Sequence, residues 1–403
     1  MLSMFRVGTF CNNLLMYSYG RQSIDQSDID AVVDVLKGDW LTQGPAVETF
    51  ENDLKSYFNA AHVCAVSNGT AALHLAGLAL GWQPGDIVIT TPITFLATAN
   101  CIVYAGAAPD FVDIDPVSYT IDPNQLEDRV KAYQLQGEKV KAVICVDYAG
   151  YPCDWEAFRG IADKYNFQLV NDNCHALGAS YIGDKQYAVK YADVVTQSYH
   201  PVKHITTGEG GAVLTNDPEI EKKVRRLRTH GMSKAPGQLE KTNGSWYYEM
   251  REVGFNYRIT DIQCALGSSQ LKKLDRFVQK RNEIAKRYDE SFSSNEMLNI
   301  PKIHSFVDHA YHLYPLQIDF EKLPFTKSLF FEKMKHAGIN LQVHYIPVHL
   351  QPFYKKKYGY NAGDYPIAER FYDRAVSIPL YPSLTNEEVN KVVKGITSFI
   401  ESK

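Results

Sequence analysis

Apolar and polar positions along this chain follow two rhythms that alternate. In IDQSDIDAVVDVLK, residues 24–37, apolar residues return at helical spacing, which predicts an amphipathic helix. DWLTQGP then reads as a loop, AVETFENDLKSYF as a second helix and HVCAV, residues 62–66, as a short strand. From there short apolar runs predict strands at 86–91, 109–114, 141–147, 167–171, 193–198 and 211–215. Helical stretches at 68–80, 94–105 and 155–165 lie between several of them. The early runs are continuously apolar, as strands buried on both faces are. The pattern therefore predicts an α/β layer, a mainly parallel central sheet with helices on both faces.

Residues 233–252, SKAPGQLEKTNGSWYYEMRE, break the rhythm: they are polar, contain Gly and Pro and show no period. Long loops of this kind in compact domains are often functional. Residues 260–289 predict one or two helices crossing to a second domain. Beyond them strands (HLYPLQIDF, INLQVHYI) mix with helices (SLFFEKMKHAG, EEVNKVVKGITSFIES), which predicts a smaller α+β C-terminal domain. The expected organisation is an N-terminal extension over 1–15, a large domain over 16–270 and a small domain over 271–403.

Composition narrows the function classes. Lys plus Arg total 42 against 46 for Asp plus Glu, a formal net charge of −4. That balance argues against a general nucleic-acid binder and leaves room for a local site for a phosphorylated ligand. The seven cysteines, at 11, 64, 101, 145, 153, 174 and 264, are odd in number, scattered and without a CxxC pair. They match neither a disulfide framework nor a zinc site, so no metal is expected, and most read as small buried residues in a reducing cytoplasm. No run approaches the roughly 20 apolar residues that cross a bilayer. Asn12 and Asn13 interrupt the mildly apolar N-terminus, so neither a membrane span nor a signal peptide is expected.

Four places carry candidate chemistry. SYHPVKHITTGEGG sets Lys203 between a strand end and a Gly-rich turn. A lysine buried near a cleft can lose its proton and form a Schiff base with an aldehyde; the plain alternative is a solvated loop lysine. In NDNCHA, Asp172 ends the strand FQLV at the edge where open α/β sheets bind ligands. It can pair with a protonated pyridine nitrogen or simply cap the next helix. SNGTAALHLA passes from a strand into a helix N-terminus, an anion site where Thr70 adds a hydroxyl and Gly69 allows close approach. The alternative there is an ordinary N-cap at Ser67 or Asn68. In TPITFLATAN, Phe95 either lies on an aromatic cofactor ring or packs in the core.

Taken in order, SNGTAAL, TPITFLATAN, FVDIDP, DNCHALGA, SYHPVKHITTGEGGAVLTND, RTHGM and VGFNYRITDIQCALG resemble the DegT/DnrJ/EryC1/StrS family. These are fold-type-I aminotransferases that use pyridoxal 5′-phosphate (PLP) and act on nucleotide-linked sugars. The likeness runs through nearly the whole chain from about Tyr17. It implies roles by position. Lys203 would hold PLP as a Schiff base and later shuttle the proton, with pyridoxamine phosphate (PMP) as the second cofactor form. Asp172 would face the pyridine nitrogen, and Phe95 and His175 would lie near the ring. Thr70, Ala71 and Ser198 would bind the phosphate, with Gly69 shaping the turn. Asn256 would reach the phosphate of a neighbouring subunit, which implies a homodimer with shared sites. A related branch carries histidine at the lysine position and dehydrates its substrate; Lys203 favours transamination, and His200, three residues earlier, is read as structural. Ala71 lacks the hydroxyl that some members have there.

YGRQSI, DWLTQGP, HLYPL and QVHYIPVHLQPFY resemble the subgroup that makes UDP-4-amino-4,6-dideoxy-N-acetyl-β-L-altrosamine on the route to pseudaminic acid. That likeness implies L-glutamate as donor and C4 of a UDP-linked keto sugar as acceptor. Tyr19, Arg21, Trp40, Thr42, Gln43, Tyr345 and His349 are the candidate sugar contacts. Arg21 suits a diphosphate oxygen, and the aromatic residues suit uracil or a sugar face; the C-terminal tyrosines otherwise pack the small domain. Two alternatives stay open. One is the same chemistry on a dTDP-linked, D-configured UDP-linked or 3-keto sugar. The other is a PLP-binding regulator without turnover.

Overall fold

The computed structural model describes residues 16–234, 237, 239–241 and 244–401. The extension expected over 1–15 lies outside them. Seven strands form the main sheet: β1 (His62–Val66), β2 (Ile87–Thr90), β3 (Ala108–Phe111), β4 (Val140–Val146), β5 (Gln168–Asp172), β6 (Val194–Ser198) and β7 (Gly211–Thr215). Their spatial order is β1-β7-β6-β5-β4-β2-β3. β2 runs parallel to β3 and β4, β4 to β5 and β5 to β6, whereas β7 runs antiparallel to both β1 and β6. Alternate residues of β4 show why the strands read as continuous apolar runs. Val143 and Cys145 pack with Trp155 and Phe158. Ala142 and Ile144 pack on the other face with Leu73 and Ile102.

Local chemistry sets the helix boundaries. The first helix, α1 (Gln26–Lys37), begins where Asp25 and Asp28 form a reciprocal capping box. It is followed by α2 (Pro45–Phe58), α3 (Gly69–Ala79) and α4 (Leu96–Tyr104). Periodicity leaves α5 (Pro123–Leu135) unmarked, and it marks α6 (Trp155–Tyr165) but not α7 (Pro218–Arg228). The stripes of α5 and α7 are thin: Leu126 and Val130 in one, Val224 and Leu227 in the other. Their starts carry a signal nonetheless, an Asp cap followed by proline at the first helical position.

The 260–289 stretch forms two helices, α8 (Asp261–Leu271) and α9 (Leu274–Phe292). α9 packs against α11 (Asn386–Glu401) beside a three-stranded antiparallel sheet of β8 (Leu298–Asn299), β9 (Tyr314–Ile318) and β10 (Ala375–Ile378). With α10 (Lys327–His336) these elements enclose a second core that includes Tyr288, Tyr314, Phe330, Val376 and Ile396. Two expectations change here. Tyr17, placed at the start of the large domain by the sequence, packs into this second core and bridges Ile339. INLQVHYI is not a ladder strand: Gln342 and Ser377 exchange backbone hydrogen bonds, and the chain then turns into a cavity. The 233–252 loop is pinned at its base, where Met232–Ser233 pairs with Glu249–Met250.

Candidate active site

The C-terminal ends of β1, β2, β5 and β6 open on one cavity of about 1130 Å³, the edge at which parallel α/β sheets present ligands. Lys203 lies on the turn after β6, its backbone N–H bonded to the His200 carbonyl at 2.9 Å. Burial pushes its ammonium down from the ordinary lysine value, against the opposing pull of Cys174 and Asp172. A lysine so placed is primed to act as a free amine.

Asp172 is the last residue of β5 and is 5% exposed. Its Oδ1 accepts the Cys174 N–H at 3.3 Å and its Oδ2 accepts the Thr98 hydroxyl at 2.7 Å. No helix starts after it, so the capping alternative falls away.

The turn from β1 into α3 forms the anion cradle. Asn68, not Ser67, is the N-cap, and its side chain accepts the Ala71 N–H at 2.8 Å. The N–H groups of Gly69 and Thr70 that follow have no preceding turn of helix to bond. A Cβ on Gly69 would stand 2.8 Å from Ser198 Cβ and 3.2 Å from its Oγ, so only glycine brings the helix start this close to the end of β6. Gly69, Thr70, Ala71 and Ser198 all line the cavity.

His175 and Phe95 line the same space. Burial, and then the positive charge of Lys203, hold the His175 imidazole well below its ordinary value. Its Nδ1 accepts the Ala149 N–H at 3.3 Å, so the neutral ring carries its hydrogen on Nε2, which lies 3.1 Å from the Tyr345 hydroxyl. Ala149 itself sits at φ 58°, the left-handed region, which turns its N–H toward the ring. Phe95 is 55% exposed at the cavity wall, 5.9 Å from the Tyr345 ring.

Of the candidate sugar contacts, Tyr19 and Tyr345 line the cavity. Arg21 opens instead on a small crevice behind Lys203, beside Pro201 and Gln270. Trp40, Thr42 and Gln43 are exposed on another face, where Thr42 bridges Thr260 and Gln43 lines a second depression with Arg258. Asn256 is exposed nearby, bridging Thr229, while its neighbours Phe255 and Tyr257 line this chain's own cavity. His349 is a correction: it is fully buried, and its Nε2 lies 3.0 Å from Glu369 Oε1, so it braces the fold rather than facing a ligand. His200, read as structural, is exposed on the cavity wall. Thr98, His74, His312 and His344 also line the cavity and were not singled out. For Thr98 a signal existed, since TPITFLATAN puts Thr94 and Thr98 one helical turn apart.

These groups fit PLP: an amine with a lowered proton affinity, a carboxylate at a strand end, and a cradle at a helix start that a single Cβ would fill. Comparison with known proteins agrees. Residues 22–397 match the DegT/DnrJ/EryC1/StrS aminotransferase family. A Campylobacter jejuni protein named UDP-4-amino-4,6-dideoxy-N-acetyl-β-L-altrosamine transaminase is 40% identical over 386 residues, 96% of this chain and 98% of that one. Among solved structures, Helicobacter pylori PseC, an aminotransferase involved in pseudaminic acid biosynthesis, superposes with a TM-score of 0.87 at 32% identity, covering 96% of this chain and 100% of that one. A Streptococcus pneumoniae sugar aminotransferase, solved in PLP and PMP forms, superposes with a TM-score of 0.85 in both, at 28% and 29% identity. The alignments cover 96% of this chain and 99% of the PLP-form chain, and 95% and 98% for the PMP form.

Proposed function

The chain belongs to the DegT/DnrJ/EryC1/StrS aminotransferase family, and from that premise we propose that it moves the amino group of L-glutamate to C4 of UDP-2-acetamido-2,6-dideoxy-β-L-arabino-hexos-4-ulose. That it is a PLP-dependent sugar aminotransferase, with PMP as the second cofactor form, follows from the family and sets aside the non-catalytic regulator. The choice of sugar is carried by one observation, the whole-length 40% identity to the Campylobacter transaminase.

PLP supplies the aldehyde carbon that accepts the amino group and the ring that stabilises negative charge on the carbon losing its proton. The chain's own residues do the rest. Lys203 Nζ would bind the cofactor and, once released, would carry the proton between the two reacting carbons. Asp172 would pair with the ring nitrogen and keep it protonated. The N–H groups of Gly69 and Thr70, with the Ser198 hydroxyl, would hold the phosphate. His175 would donate from Nε2, and Phe95 would lie near the ring. Tyr19 and Tyr345 meet the sugar nucleotide. L-glutamate leaves as 2-oxoglutarate in the first half, and the keto sugar leaves as its 4-amino product in the second.

Trp40, Leu41 and Val253 are each exposed apolar residues that suit a homodimer interface, through which Thr42, Gln43 and Asn256 would reach the partner's cavity. The free thiols of the described cysteines, five of them buried, suit a reducing cytoplasm. A panel of purified nucleotide-linked keto sugars with L-glutamate tests the substrate. The expected result is a C4 amino sugar from the β-L-arabino UDP substrate, with one 2-oxoglutarate per product. Turnover restricted to dTDP sugars or to D-configured UDP sugars would overturn the sugar assignment and leave the aminotransferase standing.

A further inference from the structure

Asp172 receives a hydrogen bond whose source is itself hydrogen-bonded. Thr98 Oγ1 lies 2.7 Å from Asp172 Oδ2, and Thr94 Oγ1 lies 2.7 Å from Thr98 Oγ1. All three side chains are shut away from water: Thr94 is 2% exposed, Thr98 1% and Asp172 5%. The direction of the chain follows from counting hydrogens. An ionised carboxylate oxygen only accepts, and a hydroxyl has one hydrogen to donate. Thr98 therefore donates to Asp172, and Thr94 donates to Thr98.

The start of α4 provides the geometry. Thr94 immediately precedes the N-cap Phe95, and Thr98 lies in the first turn, its N–H bonded to the Phe95 carbonyl at 3.2 Å. The chain entering the helix brings the Thr94 hydroxyl onto Thr98, and Thr98 in the first turn reaches the end of β5, so the two hydroxyls are joined in series to one carboxylate oxygen. The other oxygen has the longer 3.3 Å contact from the Cys174 N–H.

We propose that Thr94 and Thr98 form a positioning relay that holds Asp172 as a carboxylate, so that the proton between Asp172 and the cofactor's ring nitrogen stays on the nitrogen. The inference rests on the reading of Asp172 as the ring nitrogen's partner. Two bases share one proton in a space with little water, and a hydrogen bond donated to the ionised form of one of them favours that form. A hydroxyl on a carboxylate makes a charge-assisted bond, stronger than a neutral one, and the second hydroxyl polarises the first. A ring nitrogen without its proton withdraws electrons less well and slows the loss of the substrate proton. Thr98 acts through Asp172 and is a positioning residue.

The test compares holoenzymes of the wild type, Thr98→Val, Thr98→Ser and Asp172→Asn, each reconstituted with PLP carrying 15N in its ring. The ring-nitrogen resonance is read at neutral pH beside the single-turnover rate with L-glutamate. Valine keeps the shape and removes the hydroxyl; serine keeps the hydroxyl. The expected wild-type signal is that of a protonated nitrogen. In Thr98→Val it moves toward the unprotonated position and the rate falls about tenfold, and Thr98→Ser returns both to within about twofold. A Thr98→Val signal and rate equal to wild type would overturn the relay. So would a Thr98→Ser enzyme as impaired as Thr98→Val, because packing would then be the cause. Should Asp172→Asn also keep the nitrogen protonated, the reading of Asp172 itself fails; should Asp172→Asn shift the signal while Thr98→Val does not, the threonine relay alone fails.

Discussion

A lysine in water keeps its proton at neutral pH and cannot attack an aldehyde; Lys203 differs because burial disfavours its charged form. Burial therefore leaves a larger share of free amine at any given pH than a solvated lysine has. Lys203→Ala should abolish turnover while the variant still retains PLP or PMP non-covalently. Borohydride reduction and peptide mapping check this: label belongs on the Lys203 peptide of the wild type and on no peptide of the variant. Label on another lysine would sink the assignment. Lys203 and Asp172 stand out as candidates in the sequence because residue type and strand-end position agree, and both line the cavity. His349 misled because its motif looked like a site, whereas its partner Glu369 becomes visible only when the segment folds back.

At the scale of elements, the start of α3 shows how packing and backbone freedom separate. Gly69 has an ordinary φ, so a side chain there is limited by contact rather than by backbone strain. Gly69→Ala would push Ser198 or the helix aside by a few tenths of an ångström at least, and should cost about 1–3 kcal/mol of stability together with much of the cofactor affinity. Gly160, exposed in the middle of α6 with open space around its Cβ position, is the control. Gly160→Ala should stabilise by about 0.5–1 kcal/mol and leave PLP retention unchanged. Thermal melts with and without PLP, and dialysis of bound cofactor, distinguish the two. A Gly69→Ala protein that keeps PLP as tightly as wild type would show that the close approach is not what forms the cradle.

For the whole molecule, a set of buried histidines carries a pH dependence. His175, His204 and His312 are held well below the ordinary histidine value by burial, and His309 and His344 are each held down to about 3 by the same cause. The folded protein leaves these rings neutral while the unfolded chain protonates them below about 6.5. Their contribution to stability is therefore intact above that pH and is lost as pH falls toward 3. The slope is up to about 1.4 kcal/mol per pH unit for each ring. Melting temperatures should drop steeply between pH 6.5 and 5; a flat profile there would mean that the rings are charged in the folded state. The proposed shared sites make a second prediction at this scale. Mixing inactive Lys203→Ala subunits with inactive Asn256→Ala subunits should restore some activity, because one site of the hybrid then receives both defects and the other none. No recovery after verified subunit exchange would argue that each site is made within one chain.

What the amino-acid order determined by itself was whatever depends on near neighbours: the continuous runs that become buried parallel strands, the Asp25 and Asn68 caps, and the strand-end turns that put Asp172, Lys203 and Gly69 at one edge of a sheet. These follow from backbone geometry and side-chain periodicity over a few residues. Only the tertiary structure decided which distant groups meet. Thr98 reaches Asp172 across 74 positions and Tyr345 reaches His175 across 170, while Tyr17 leaves the large core for the small one. No local pattern encodes such pairs, because each depends on how the sheet and helices stack before two side chains can come within hydrogen-bonding distance of each other.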